Sequence, residues 1–367
     1  MLTVGDPAPW FHARSSVNPN FHFDTAAGRY LVLCFFGSSS DPAARRVLSD
    51  LEHATDLSNI VNCCFFGVSR DPADEHEARL PTGKPGLIWF WDFDNAIGRL
   101  YGVPDSQTPR KDDAAEGDRF ASQITYVLDP RLRVVARVPF APDPARHVPN
   151  LVRIVRALPP VSSLAEAHAP VLVVPHIFEP HFCRQLIEIY EADGGYESGF
   201  MREVGGKTVP VHDHSHKRRR DCEIKDLQVI QACQMRLKRR LIPEIHKSFQ
   251  FEATRIERHI VACYDASTGG HFRAHRDNTT KGTAHRRFAI SLNLNDDFQG
   301  GDLRFAEFGP RTYRAPVGGA VVFSCSLLHE ATPVTAGKRY AFLPFLYDDV
   351  AAEIRRRNAQ FLAPGPN

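Results

Sequence analysis

The pattern of apolar residues changes near residue 160, and this change limits the folds open to the chain. Before it, apolar runs with the length of buried strands, such as residues 30–36 and 60–68, alternate with segments of helical spacing such as 42–54. Beyond residue 250, strand-like segments follow one another with short turns between them. The first pattern is typical of an α/β sheet covered by helices, and the second indicates helices packed on an antiparallel sandwich or barrel.

The length of the chain also favours two domains. It has 367 residues, and a single hydrophobic core rarely grows past roughly 250–300 residues. We therefore expect a first domain over residues 1–160, a linker over 161–170, a second domain over 171–350 and a C-terminal tail over 351–367.

Composition argues against several classes of protein. Lys and Arg number 45 against 43 Asp and Glu, so a broad basic face for nucleic acid is not expected. No apolar run approaches the ~20 residues that cross a bilayer, and the N-terminal residues do not follow the pattern of a signal peptide. The eight Cys are scattered without a C-x-x-C pair, which is typical of reduced thiols. The sequence thus predicts a cytoplasmic protein that binds neither nucleic acid nor membrane.

One group of residues in the second half has the pattern of a metal site. His275 and Asp277 are two positions apart, so on a strand both point to the same face, and His329 can complete the set from a neighbouring strand. Two imidazoles and one carboxylate on one face leave three positions open, as in non-haem Fe(II) oxygenases. A zinc hydrolase uses a similar ligand set and is the chemical alternative.

A basic residue follows at a distance that suits a co-substrate. Arg339 lies ten residues after His329 and can point into a small barrel from the next strand. A guanidinium pairs bidentately with a carboxylate, here the distal carboxylate of a keto-diacid. Lys338 is the alternative anchor, but strand alternation places only one of the two inside.

About 100 residues of this half resemble the 2-oxoglutarate/Fe(II) dioxygenases of the prolyl-4-hydroxylase-like group. The matching segments, in order, are residues 262–264, 269–278, 291–295, 300–305, 318–323 and 329–334. The resemblance implies a double-stranded β-helix, or jelly roll. It also implies Fe(II) bound by His275, Asp277 and His329, 2-oxoglutarate anchored by Arg339, and O₂ as the second co-substrate.

The same resemblance suggests roles for further residues. Tyr264 would line the pocket, and Asn293 stands where some relatives have a Tyr that helps to hold 2-oxoglutarate. Relatives also cover the substrate with a mobile segment, whose counterpart here would be residues 195–222. Within it, Arg219 and Arg220 are our candidate lid residues for an acidic substrate.

The first half resembles the peroxiredoxin-like (AhpC/TSA) domains over residues 1–158. The matching segments include residues 4–11, 28–33, 66–71, 92–103 and 125–129. The resemblance implies a thioredoxin-like fold, but Asp41 occupies the place of the peroxidatic Cys before Pro42. Since an Asp or Ser cannot attack a peroxide as a thiolate does, we expect a scaffolding, dimerising or substrate-docking domain.

Together these patterns predict a dioxygenase that hydroxylates an aliphatic C–H bond. The substrate would be a peptidyl residue or an amino-acid-like small molecule, with succinate and CO₂ as co-products. Two alternatives stay open: a sensing or binding module without catalysis, and a thiol peroxidase using Cys34 or the Cys63/Cys64 pair. A homodimer is a further expectation, from the habits of both folds.

Overall fold

The structure, a computed structural model, describes residues 1–51, 53–104, 123–140, 143–161 and 168–362. The chain divides into two compact units. The first comprises Met1–Ala167 with Ala306–Pro310, and the second comprises His168–Phe305 with Arg311–Asn367. Most of the predicted linker, residues 162–167, lies outside the described residues.

The first unit is a mixed β-sheet with helices, and the predicted α/β class is confirmed. Its strands are β1 (His12–Ala13), β2 (Phe21–His22), β3 (Tyr30–Gly37), β4 (Cys63–Ser69), β5 (Leu87–Trp91), β6 (Ile124–Leu128) and β7 (Val134–Pro139). Its helices are α1 (Pro42–Leu51), α2 (Pro72–His76), α3 (Ala96–Leu100) and α4 (His147–Ala157). The main sheet has the order β5-β4-β3-β6-β7, in which β3, β4 and β5 are parallel and β6 and β7 are antiparallel.

Strand β3 is the centre of this sheet because nearly all of its side chains are apolar. Alternate residues such as Val32 and Phe36 pack with Val47 of α1 and Leu151 of α4. A strand that is buried on both faces reads as a continuous hydrophobic run, as residues 30–36 do.

The second unit contains helices and many antiparallel strands. Its strands are β8 (Leu172–Val174), β9 (Tyr196–Glu197), β10 (Phe200–Val204), β11 (Lys207–Val211), β12 (Lys217–Arg218), β13 (Arg220–Glu223), β14 (Arg255–Glu257), β15 (Ile260–Asp265), β16 (His271–His275), β17 (Phe288–Asn293), β18 (Gln299–Gly300), β19 (Leu303–Arg304), β20 (Thr312–Tyr313), β21 (Ala320–Ser324), β22 (His329–Ala331), β23 (Val334–Ala336), β24 (Lys338–Phe342) and β25 (Phe345–Tyr347). Its helices are α5 (Pro180–Asp193), α6 (Leu227–Arg240), α7 (Ile242–Phe249) and α8 (Asp349–Asn358).

Two antiparallel sheets form the predicted jelly roll. The larger has the path β14-β25-β17-β24-β15-β13-β9, with β21 beside β17 and β8 beside β21. The smaller has the order β12-β16-β22-β19-β20. The double-stranded β-helix with packed helices is therefore confirmed.

Helices cover one face of the larger sheet and determine which side chains point inward. Ile290 and Leu292 of β17 pack into the same core as Cys233 and Leu237 of α6. Because side chains alternate along a strand, Ser291 and Asn293 point the other way, towards the interior of the barrel. Alternate side chains of β17 thus face the apolar core under the helices on one side and the polar interior of the barrel on the other.

Local sequence explains where the helices begin and end. The carboxylate of Asp226 accepts the backbone N–H groups of Gln228 and Val229 and caps α6. Helices α6 and α7 are separated at Leu241, since Pro243 in the first turn of α7 has no N–H to continue the helix before it. The predicted C-terminal tail, as far as it is described, is largely helical because Asp348 caps α8.

Candidate metal centre

The smaller sheet brings two histidines to directly opposed positions. His275 ends β16 and His329 begins β22, and the two residues pair across the antiparallel strands. Their ring centres are 4.3 Å apart. The strand pairing is irregular between Phe272 and His275, and this lets the side chains of Phe272 and His275 lie on the same, interior face. The rings of these two residues are stacked, with their centres 3.5 Å apart.

Asp277 completes a set of three ligands. Its Oδ1 lies 3.6 Å from Nε2 of His275, and its Oδ2 lies 3.4 Å from Nε2 of His329. One ligand atom from each residue falls within 4.8 Å of the others. In the described part of the chain no other three His, Cys, Asp or Glu side chains have this arrangement.

Backbone carbonyls orient both imidazoles. Nδ1 of His275 donates to the carbonyl of Arg273 at 2.8 Å, and Nδ1 of His329 donates to the carbonyl of Leu327 at 3.0 Å. This tautomer leaves the Nε2 lone pairs directed at one point, as a metal ligand requires.

The pKa values of His275 and Asp277 also favour the binding of a cation. Burial lowers the pKa of His275 to about 4, so its imidazole is neutral near pH 7. Burial alone would raise the pKa of Asp277, but the facing histidines, His329 first, hold it below its ordinary value. The neutral imidazole of His275 and the ionised carboxylate of Asp277 are therefore ready to bind a metal ion without first losing protons.

A buried ion-pair network lies behind the carboxylate ligand. Arg286 forms two hydrogen bonds with Glu257, of 3.0 and 2.6 Å, and Nε2 of His285 lies 2.6 Å from the same carboxylate. Nη1 of Arg286 also reaches the backbone carbonyl of Asp277 at 3.4 Å. The network connects β14 to the segment that carries the metal ligand.

Arg339 points into the barrel from β24 and is 3% exposed. Its Nε and Nη2 donate to Oδ1 of Asn293 at 3.1 and 3.0 Å, and its Nη2 donates to Oγ of Ser291 at 2.6 Å. Lys338 points outward, with its Nζ 3.7 Å from Glu191. Arg339, and not Lys338, is thus the basic residue inside the barrel.

The guanidinium of Arg339 has the features of an anchor for an anion. It forms no salt bridge with any carboxylate in the described residues, and its Nη1 makes no hydrogen bond there. Burial lowers its pKa, which shows the unfavourable cost of leaving the charge uncompensated. A small pocket adjoins it, and its lining includes Ser291, Asn293 and Tyr313. A ligand carboxylate would satisfy both the charge and the unused donors.

Tyr264 and Asn293 both contact Arg339, in different ways. The ring centre of Tyr264 lies 5.4 Å from the guanidinium carbon, and the two residues pair across β15 and β24. The amide nitrogen of Asn293 donates to the carbonyl of Ala315 at 2.8 Å. Because its oxygen accepts from Arg339 and its nitrogen is already bonded, Asn293 positions the guanidinium here.

The structure corrects the prediction of a mobile lid with Arg219 and Arg220. Arg219 is buried and forms a bidentate ion pair with Asp221, with both distances 2.7 Å. Arg220 lies in β13 on the opposite face and donates to the carbonyls of Gly194 and Gly195. Strand alternation separates the two cations, which the sequence alone presented as a single basic run.

Part of the predicted lid is instead a β-hairpin beside the metal ligands. Strands β10 and β11 pair over their whole length, from Phe200 opposite Val211 to Val204 opposite Lys207. The ring of Phe200 lies 4.5 Å from that of His216, which in turn lies 6.5 Å from that of His275. The hairpin therefore contributes an aromatic wall near the ligands.

In the first unit, a polar loop that contains Asp41 occupies the position at which the AhpC/TSA domains have their peroxidatic cysteine. Asp41 accepts the backbone N–H of Ala44 at 2.9 Å and so caps α1. All eight cysteines are buried, and burial raises the pKa of Cys34 and of Cys63 to about 12. The pKa of Cys64 is also raised by burial. This geometry gives no support to the thiol peroxidase alternative.

Sequence reasoning missed three residues near the site: Ser291, which accepts from Arg339, Lys217, which pairs with Phe272 across β12 and β16, and Glu257, which pairs with Arg286. Ser291 lies two positions before Asn293, and strand alternation would have placed both on one face. Lys217 was read as part of a loop, so no alternation was applied to it. Glu257 lies in β14, but nothing in its local sequence indicates its distant partner Arg286.

Comparison with known proteins finds a family match in each half of the chain. Residues 259–347 match the 2OG-Fe(II) oxygenase superfamily, and residues 4–137 match the AhpC/TSA family. The described residues include no helix that is both long and apolar enough to cross a membrane.

Three individual proteins are similar to parts of this chain. A PKHD-type hydroxylase of Synechococcus sp. (strain JA-2-3B'a(2-13)) is 30% identical over 89 residues, covering 22% of this chain and 39% of the relative. One of Shewanella sp. (strain ANA-3) is 26% identical over 195 residues, covering 50% and 81%. The prolyl hydroxylase of Trichoplax adhaerens, solved with a peptide fragment of the hypoxia inducible factor oxygen degradation domain, has a TM-score of 0.40 and 16% identity, covering 51% and 86%.

These matches cover only parts of this chain and of its relatives. With the Synechococcus hydroxylase the chain shares less than half of that protein's length. The AhpC/TSA match falls within the first unit, and the oxygenase match falls within the second unit except for residues 306–310. The chain therefore contains one region that matches the AhpC/TSA family and a second region that matches the 2OG-Fe(II) oxygenase superfamily.

Proposed function

We propose that this protein is an Fe(II)- and 2-oxoglutarate-dependent dioxygenase that hydroxylates an aliphatic C–H bond. Its substrate is a peptidyl residue or an amino-acid-like small molecule, and succinate and CO₂ are the co-products. The observation that carries the proposal is the pairing of the His275, Asp277 and His329 set with a buried arginine that has no counter-ion in the described residues.

The donor set fits Fe(II). Nitrogen and oxygen ligands on one face leave open positions for a chelating co-substrate and O₂. When bound, the iron and 2-oxoglutarate supply the oxidising power for cleavage of the C–H bond. A zinc hydrolase would use the same three ligands, but it has no need of a buried anchor such as Arg339.

Residues of the chain itself orient the metal ligands and bind the co-substrate. The carbonyls of Arg273 and Leu327 hold the two imidazoles in one tautomer. Arg339 binds the distal carboxylate of 2-oxoglutarate through the donors that the protein leaves unused. An apolar cluster that includes Tyr264, Phe272 and Phe298 excludes water from the interior.

The test is the conversion of 2-oxoglutarate to succinate by the full chain. We expect slow turnover that needs both Fe(II) and O₂ and that Zn²⁺ does not support. His275→Ala should lower it by roughly 100-fold or more, since catalysis needs every ligand. His271→Ala is the matched control, because this histidine lies on the same strand and donates to the carbonyl of Gly269 instead.

Two results would count against the proposal. Turnover that His275→Ala leaves intact would place the reaction elsewhere in the chain. Zinc-dependent hydrolytic activity that is lost in the same variant would favour the hydrolase alternative.

A further inference from the structure

Lys217 is a buried cation on the interior face of the barrel, next to the metal ligands. It is 5% exposed and pairs with Phe272 across β12 and β16. Its Nζ lies 4.9 Å from the ring centre of Phe272, and that ring stacks on His275 at 3.5 Å. Lys217, Phe272 and His275 therefore share one face of the smaller sheet.

The ammonium group of Lys217 lacks a counter-ion among the described residues. Its one hydrogen bond there is donated to the backbone carbonyl of Gly199, at 2.6 Å. An ammonium has three donors, so two stay unused. Burial lowers its pKa well below the ordinary value, as expected for a charge that has left water without a partner.

The two acids that act on Lys217 electrostatically are engaged elsewhere. Asp221 is held by Arg219 through two hydrogen bonds of 2.7 Å. Asp277 faces His275 and His329 in the metal site. Neither carboxylate is therefore paired with Lys217, and the two unused donors of its amino group stay available to an anionic ligand.

We propose that Lys217 binds a carboxylate of the substrate and so selects an anionic substrate for the dioxygenase. The inference rests on the proposed function and adds the substrate class to it. Arg339 serves the co-substrate from the larger sheet, whereas Lys217 lies on the smaller sheet beside His275. The two cations are thus on opposite sheets, one for each carboxylate-bearing molecule.

The carboxylate has two sources with the same chemistry. One is the α-carboxylate of a free amino acid or related small acid, and the other is an acidic side chain of a peptide. Two matched sets of probes separate them. The first set pairs free L-amino acids with their primary amides, and the second pairs end-blocked peptides containing Glu with the same peptides containing Gln.

The experiment is an anaerobic titration of the full chain loaded with Fe(II) and 2-oxoglutarate. The visible charge-transfer band of this complex reports the state of the metal site, and each probe is added while the band is followed. We expect carboxylate probes of one set to shift the band and their amide partners to leave it unchanged. The set that responds identifies the source.

Variants test whether Lys217 is responsible. Lys217→Gln removes the charge but keeps an N–H donor for Gly199, and we expect it to weaken binding of the responding carboxylate by about 10- to 100-fold. Arg218→Met is the matched control, because Arg218 is exposed on the opposite face and donates to the carbonyl of Thr268 at 2.8 Å. Its affinity for the probe should equal that of the wild type.

The outcomes separate this inference from the proposed function. Absence of the band in the loaded wild type would contradict the function itself. A band that forms but responds equally to amides, or to none of the carboxylates, would overturn the role of Lys217. An undiminished carboxylate preference in Lys217→Gln would do the same.

Discussion

The side-chain oxygen of Asn293 accepts two hydrogen bonds from the guanidinium of Arg339, 3.1 Å from Nε and 3.0 Å from Nη2. The amide holds a buried cation in place without neutralising it. Its charge is thereby left for an incoming anion, which links the choice of Asn at this position to co-substrate binding.

Asn293→Asp should weaken binding of 2-oxoglutarate. A carboxylate at this position would form a buried ion pair with Arg339 and compete with the co-substrate for the same charge. We expect the dissociation constant of 2-oxoglutarate to rise by roughly tenfold or more, as measured by anaerobic titration.

Asn295→Asp is the matched control for this substitution. Asn295 is two residues further along, and its amide donates to the carbonyl of Lys338 at 2.7 Å. It should change the affinity far less. Unaltered 2-oxoglutarate affinity in Asn293→Asp would show that Arg339 is not the anchor.

Arg286→Met should destabilise the second domain. It would leave Glu257 buried with only His285 as a close partner, and breaking a buried ion pair costs about 3–5 kcal/mol. Urea unfolding followed by circular dichroism measures the loss. Arg287→Met is the comparison, since the side chain of Arg287 makes a single hydrogen bond among the described residues, to the carbonyl of Ala284. A loss of similar size in that variant would contradict the assignment.

The stability of the first domain should fall between pH 7 and pH 5. Burial lowers the pKa of His147 to about 4, while its Nε2 lies 2.9 Å from Oγ1 of Thr125. An unfolded histidine titrates near pH 6.5, so between these values the unfolded state binds more protons and is favoured as the pH falls. The expected loss from this residue is about 2 kcal/mol at pH 5.

Tryptophan fluorescence can follow this effect selectively. The three tryptophans, at positions 10, 89 and 91, all lie in the first unit. His147→Gln should flatten the pH dependence of the urea midpoint, whereas His53→Gln, at an exposed position, should not. An equal pH dependence in wild type and His147→Gln would disprove the role of His147.

The native protein should react slowly with thiol reagents and with peroxide. All eight thiols are buried, and the pKa of about 12 for Cys34 and Cys63 leaves little thiolate at neutral pH. Labelling with a chromogenic disulfide should reach completion only after unfolding. Oxidation of Cys34 by peroxide far faster than that of a free cysteine would revive the peroxidase alternative.

The sequence predicted the fold of each half because the relevant signals are local. Apolar runs such as residues 30–36 identify buried strands, and the two-residue spacing of His275 and Asp277 places them together on one face. These signals depend on neighbours along the chain, so the three-dimensional structure adds little to them.

The rest of the site depends on partners that are distant in the sequence. The basic run at 217–220 gave no hint that Lys217 and Arg219 turn inward while Arg220 turns outward, since the segment was read as a loop. The bond between Asn293 and Arg339 spans 46 residues, and the family resemblance suggested a different role for the amide. Such contacts follow from strand order, which no local pattern specifies.

The most direct test of the account is an anaerobic titration of the full chain with Fe(II) and 2-oxoglutarate, followed by the visible charge-transfer band. We predict a band in the wild type that is absent in His275→Ala and that needs about 10- to 100-fold more 2-oxoglutarate in Arg339→Met. Lys338→Met should match the wild type, because Lys338 points outward. A metal-loaded wild type without a band, or a band unaffected by loss of His275, would contradict the proposed dioxygenase site.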